Sequence, residues 1–229
     1  MESQRNARET DEIWLSLCEN FADKVHSVDL EARFQLVAEG DSQDRIFQIS
    51  SGKIKLTLEG SLGHQHLLRV LGPGDVLGLS ALALDSEQLP GHWFASATTM
   101  EATKITWVRI EHVRKFLDKE PQVELSLLRA LNRDTRSEYE RAMVLRDVDV
   151  PGRLAAALLA LRDKFGQTLE GGAMVLPRGL TQLELAQMVG ASRETANKVL
   201  SHFNKRGWVA QQRRSLVILD SESLERRAR

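Results

Sequence analysis

The chain has 229 residues, 42% of them hydrophobic and 28% charged, with a net charge of −1; it is long enough for two small domains and too apolar for a disordered polyelectrolyte. No run approaches the roughly 20 apolar residues of a bilayer crossing, and residues 1–11 show no secretion-signal pattern, so a cytoplasmic protein without a membrane partner is expected. One cysteine, Cys18, excludes an internal disulfide framework and a cluster held by several thiolates of one chain.

In chain order, residues 12–25 set Ile13, Trp14, Leu17, Phe21 and Val25 near helical spacing and predict an opening amphipathic helix, on which Cys18 reads as a small buried apolar residue. Between about residues 34 and 108 the pattern changes to short runs, RIFQIS, KIKLTLE, HLLRVL, FASATTM and KITWVRI, separated by turn residues such as Ser51-Gly52 and Gly72-Pro73-Gly74-Asp75. Closely spaced strands of this kind predict a small β-barrel or jelly roll. From residue 111 to about 146 turn residues vanish apart from Pro121, which predicts a long charged helical segment. Along it Leu128, Leu131, Thr135, Glu138, Ala142 and Leu145 recur at alternating spacings of three and four. That narrow seam favours a partner helix, hence a homodimer, over packing on the chain's own barrel. Residues 147–152, DVDVPG, then read as a hinge.

Beyond it, RLAAALLALRDKF predicts an apolar-faced helix. Thr181 followed by Glu184 fits a capping box that starts another, Gly190 suits its end, and Ser192 suits the cap of a third. Two short helices joined by a tight turn make a helix-turn-helix. In the second of them Ala196, Val199, Leu200 and Phe203 share one face, which turns Arg193, Glu194, Asn197, Lys198 and Ser201 outward at the end where a recognition helix meets base edges. Arg can donate twice to guanine and Glu can accept from cytosine, while Ser192, Asn197 or Lys198 can reach phosphates or neighbouring bases. The run GWVAQQRRSLVILD predicts a β-hairpin wing whose Arg213 and Arg214 reach the DNA backbone. Charge agrees with this division: residues 150–229 hold 13 Lys+Arg against 7 Asp+Glu, net +6, and residues 1–149 hold 18 against 25, net −7.

The runs DVPGRLAAALLAL and GLTQLELAQMVGASRETANKVLSHFNKRGWV resemble the C-terminal domain of the cyclic AMP receptor protein/FNR (CRP/FNR) family of bacterial transcription regulators, and ISSGKIKLTLEG and VLGPGDVLG resemble that family's cyclic-nucleotide-binding β-roll. The resemblance implies an α+β chain: a sensor β-roll over residues 1–118, a dimerisation helix and hinge over 119–149, and a winged helix-turn-helix DNA-binding domain over 150–229. It further implies a homodimer on double-stranded DNA at a palindrome with TGTGA-like half-sites, and RNA polymerase as a partner. Arg193, Glu194 and Lys198 stand where the family commonly has Arg, Glu and Arg; Lys198 keeps the charge without the planar fork.

The same resemblance marks a departure. Gly78-Leu79-Ser80 replaces the family's Gly-Glu-Leu, Leu89-Pro90-Gly91-His92 replaces its Arg-Ser pair, and Glu138-Tyr139 stands at its adenine-contacting Thr-Ser. Independently, residues 70–103 contain neither Lys nor Arg, so a buried phosphate there would lack a permanent counter-charge. The expectation is that no cofactor is held and that the cyclic AMP response is lost. Three readings of the β-roll stay open: a different small-molecule effector, another nucleotide included, in a pocket drawing on Gly78, Leu79, Ser80, His92, Glu138 and Tyr139; a scaffold with no effector; or a haem or metal site beginning from His64 and His66, which alternate along one strand. No Gly-rich phosphate loop, HExxH, GxSxG or paired Cys/His motif is present, so neither catalytic residues nor a metal set is expected. The alternative to a sequence-specific regulator is an architectural DNA-binding protein, for which the Arg-Glu face would be superfluous.

Overall fold

A computed structural model of the chain describes Trp14 and residues 23–60, 65–83, 91–169, 172–212 and 215–228. These divide into two compact units, Met1–His64 with Arg69–Ser137 and Gln65–Leu68 with Glu138–Arg229, the division falling inside one long helix.

Antiparallel strands form a roll that lies in the first unit apart from Gln65–Leu68: β1 (His26–Leu30), β2 (Gln35–Val37), β3 (Arg45–Ser51), β4 (Ile54–Glu59), β5 (Gln65–Leu71), β6 (Val76–Leu77), β7 (Ser96–Thr99) and β8 (Thr103–Arg109). They form two four-stranded sheets, ordered β1-β8-β3-β6 and β2-β7-β4-β5. The β3–β8 ladder explains why Ile46 and Phe47, adjacent on β3 and so on opposite faces, are both apolar and both buried. Phe47 and Ile49 of β3 join Ile105 of β8 in a cluster with Ile54, Leu71 and Trp93, while Ile46 and Val108 join a second cluster with Val113, Phe116 and Leu127 of the helices that follow. A strand covered on both faces loses the period of two.

The helical segment predicted as continuous from residue 111 is two helices, α1 (Ile110–Leu117) and α2 (Pro121–Asp147). Proline at the first helical position costs no hydrogen bond, so Pro121 starts α2 rather than interrupting it. At 27 residues α2 is about 40 Å long. The seam expected along it is only partly free: Leu131 packs on the second apolar cluster of its own unit, beside Val123 and Leu127, whereas Leu128 and Leu145 are exposed, as is Met143 nearby. Of the predicted opening helix, Trp14 is helical and buried in that same cluster; Asp23 and Lys24 form a turn and Val25 is not helical. Ile13, Leu17, Cys18 and Phe21 lie outside the described residues.

The second unit continues with α3 (Val150–Phe165), β9 (Gln167–Thr168), β10 (Met174–Val175), α4 (Gln182–Met188), α5 (Arg193–Lys205), β11 (Val209–Gln212), β12 (Ser215–Ile218) and α6 (Ser221–Arg227). The predicted hinge contracts to Val148 and Asp149, because Pro151 and Gly152 sit in the first turn of α3. Asp149 caps that turn, accepting from the Gly152 N–H at 3.0 Å, and Arg153 donates from its guanidinium to the Leu145 carbonyl near the end of α2 at 2.7 Å. Sequence periodicity did not announce α6. It is docked on α3 by Leu224, which is fully buried, and by the Arg162–Glu225 pair at 3.1 Å.

Candidate nucleic-acid interface

The local chemistry of residues 181–205 sets the site. Thr181 accepts from the Glu184 N–H at 3.1 Å, and Glu184 Oε2 accepts from the Thr181 N–H at 2.8 Å, a complete capping box that starts α4. Gly190, at φ +60°, takes the left-handed turn that ends it. Two residues later Ser192 caps α5, its hydroxyl accepting from the Thr195 N–H at 3.1 Å. The buried face of α5 is Ala196, Val199, Leu200 and Phe203. Burial of that face fixes the rotation of the helix, so Ser192, Arg193, Glu194, Lys198 and Ser201 are exposed together along the other. Asn197 differs from expectation: it is half-buried, and its Oδ1 is shielded from solvent with no hydrogen-bond partner. Its position lies between the exposed arc and the core side, where the period of 3.6 leaves a residue on the border. Thr195, not singled out from sequence, is exposed on the first turn with its hydroxyl 2.9 Å from that of Ser192.

The wing is present as the β11–β12 hairpin in the sheet ordered β11-β12-β10-β9, with Gln212 paired to Ser215. Arg213 and Arg214 lie outside the described residues. At the start of α3, Asp149 also pairs with Arg227 of α6; the Arg227 guanidinium first, then the Gly152 N–H, holds its carboxyl below the ordinary carboxylate value.

Of the effector candidates, Gly78 sits at φ +94° directly after β6, and a side chain there would come within 2.9 Å of the Arg45 carbonyl oxygen and 3.1 Å of the Trp93 ring. Its carbonyl accepts from Gln43 Nε2 at 3.0 Å. Leu79 turns onto the helical cluster, Ser80 is exposed, and His92 is exposed with Nδ1 2.9 Å from the Gly40 carbonyl oxygen. The neighbour of His92, Trp93, is buried inside the roll and stacks on Phe47 with ring centroids 5.8 Å apart. Buried polar groups of the roll are turned to its own backbone: Thr99 donates to the Glu31 carbonyl at 2.6 Å and Thr103 to that of Glu101 at 2.8 Å. Two nearby cations are engaged, Lys53 with Glu101 at 2.6 Å and Arg45 over the Trp107 ring at 4.6 Å. Glu138 and Tyr139 are exposed on α2 and belong to the other unit. His66 is exposed on β5 and His64 lies outside the described residues; among the described residues no group of three His, Cys, Asp or Glu side chains is arranged to hold a metal ion. Nor is any described helix long and apolar enough to cross a membrane.

Comparison with known proteins agrees with this layout. Residues 28–120 match the cyclic nucleotide-binding domain family and residues 152–227 the Crp-like helix-turn-helix domain family. A CRP-like cAMP-activated global transcriptional regulator from Mycobacterium tuberculosis is 39% identical over 206 residues, 90% of this chain and 89% of that protein. FixK2 from Bradyrhizobium japonicum shares the fold with a TM-score of 0.74 at 19% identity, over 88% of this chain and 96% of that one. A CRP/FNR-family regulator from Thermus thermophilus does so with a TM-score of 0.71 at 24% identity, over 89% and 98%.

Proposed function

The chain belongs to the CRP/FNR family of transcription regulators, with a cyclic-nucleotide-binding-type domain and a Crp-like helix-turn-helix, and from that premise we propose that it acts in the cytoplasm as a homodimer on palindromic DNA with TGTGA-like half-sites, without responding to cyclic AMP. The observation that carries the DNA reading is the joint exposure of Arg193, Glu194 and Lys198 on a capped helix whose opposite face is the core of its unit. Arg193 reads guanine through O6 and N7, Glu194 accepts from cytosine, and Lys198 supplies a point charge to the next base or phosphate. Ser192, Asn197 and the wing residues Arg213 and Arg214 add backbone contacts. Two such helices in one dimer enter successive major grooves about 34 Å apart. RNA polymerase is the expected protein partner at a promoter.

The M. tuberculosis relative is cAMP-activated by name. Against that reading here stand the absence of Lys and Arg from residues 70–103 and a roll interior occupied by Trp93 on Phe47. A cyclic phosphate carried into such an interior would be desolvated without a cation. Anisotropy on a TGTGA palindrome and on a scrambled duplex, with and without cyclic AMP, tests both parts. Binding should favour the palindrome by about 1,000-fold or more and be indifferent to cyclic AMP. Equal affinity for the two duplexes at moderate salt would mark an architectural protein, and tight stoichiometric cyclic AMP binding by calorimetry would restore the nucleotide response.

A further inference from the structure

Alongside α5 runs a groove of about 350 Å3 that the base-reading residues do not account for. Its floor includes Val199 and Phe203, with Pro151 of α3 beside them. Leu200, by contrast, meets Leu185 of α4 in a separate small crevice, so the groove lies on the flank of α5 away from α4. Its rim is basic. Lys198, His202 and Arg206 follow one another at intervals of four residues, and Arg227 of α6 lines the same groove. Arg206 is held with its guanidinium 5.2 Å from the centre of the Trp208 ring, and Arg227 by the Asp149 carboxylate. Lys198, His202 and Arg206 are exposed.

We propose that this groove seats the sugar-phosphate backbone of the DNA strand opposite the one that α4 crosses, so that α6 and the start of α3 belong to the DNA interface. The inference rests on the assignment of α5 as the reading helix. The major groove is about 12 Å wide, and a helix with its side chains is about as thick, so a helix touching base edges has a wall of phosphates on each flank. The first helix of the motif meets one wall. The other wall faces whatever lines the far flank, and here that is a row of basic side chains, Lys198 and Arg206 with His202 between them, over an apolar floor and continuous with the reading face through Lys198. Ribose carbons fit the floor and phosphate oxygens the rim, and Trp208 pre-orders Arg206 for the contact.

The test uses the full-length chain and leaves the base-reading residues intact. Arg206→Gln and the double variant His202→Gln/Arg206→Gln are titrated on the TGTGA palindrome and on a scrambled duplex across a salt series. The slope of log K against log salt should flatten by about 0.9 for each phosphate no longer neutralised, equally on both duplexes, with the ranking of single-base variants of the palindrome unchanged. Arg206→Lys should recover the slope, which separates missing charge from a folding defect. Neutral methylphosphonate linkages in the flanking strand should weaken the wild type and leave the double variant unmoved. A wild-type slope in the double variant, or a loss confined to one base pair, overturns the groove assignment. Were the wild type to bind both duplexes equally, base reading would fail, while the slope comparison would still judge the groove.

Discussion

Arg193 and Glu194 are exposed because of residues they do not touch: Ala196, Val199, Leu200 and Phe203 are buried, and a helix period of 3.6 leaves the opening residues of α5 on the other side. This was legible in the sequence, because a capped apolar stripe determines its own complement. Asn197 was not, since a residue at the edge of the stripe is placed by a few degrees of helix rotation that packing alone fixes. Its unpartnered Oδ1 marks the difference. Arg193→Ala should cost about 1–3 kcal/mol of binding, concentrated at one base pair. Affinities for a panel of singly substituted palindromes read this out, and a loss shared equally by every duplex would move Arg193 from the bases to the backbone. His202, Arg206 and Arg227 escaped the sequence reading because the last lies 21 or more positions away from the others and meets them only through the docking of α6.

Elements with capping chemistry or a sustained period were readable in advance: β3, β4, β5, β8, α4 and α5 lie close to the predicted runs. The short strands β6, β9 and β10 and the helix α6 were not, because two to seven residues carry too little periodicity to stand out from a loop. The hinge shows a different limit. Pro151 and Gly152 are turn formers by composition, yet both belong to the first turn of α3, where proline is welcome and glycine is demanded by crowding. A side chain at Gly152 would collide with Val148 Cγ1 and come within 3.0 Å of the Arg227 carbonyl oxygen. Gly152→Ala should therefore lower stability by about 1–3 kcal/mol through overpacking, despite the better helix propensity of alanine. Thermal unfolding measures it, and a raised melting temperature would show that α6 yields easily.

At the scale of the whole molecule, α2 combines a stripe committed to its own unit, Val123, Leu127 and Leu131, with exposed Leu128, Met143 and Leu145. Large apolar side chains left on a 27-residue helix suit a second copy of the chain better than water. Leu128→Glu should shift the protein toward monomer in sedimentation equilibrium and weaken binding to the palindrome by about 100-fold or more, while a single half-site is bound much as before. An unchanged mass would place the contact elsewhere. By itself the sequence determined the class of the protein, the order of its β-rich and helix-turn-helix parts, and the outward chemistry of α5. Each follows from local rules, since period, caps and charge act over a few neighbouring residues. Only the tertiary structure decided that Leu131 turns inward, that Trp93 fills the roll beside Phe47, and that Arg227 returns to the groove next to Arg206. Those contacts join residues distant along the chain, and their energy comes from shape and burial that no short window of sequence contains.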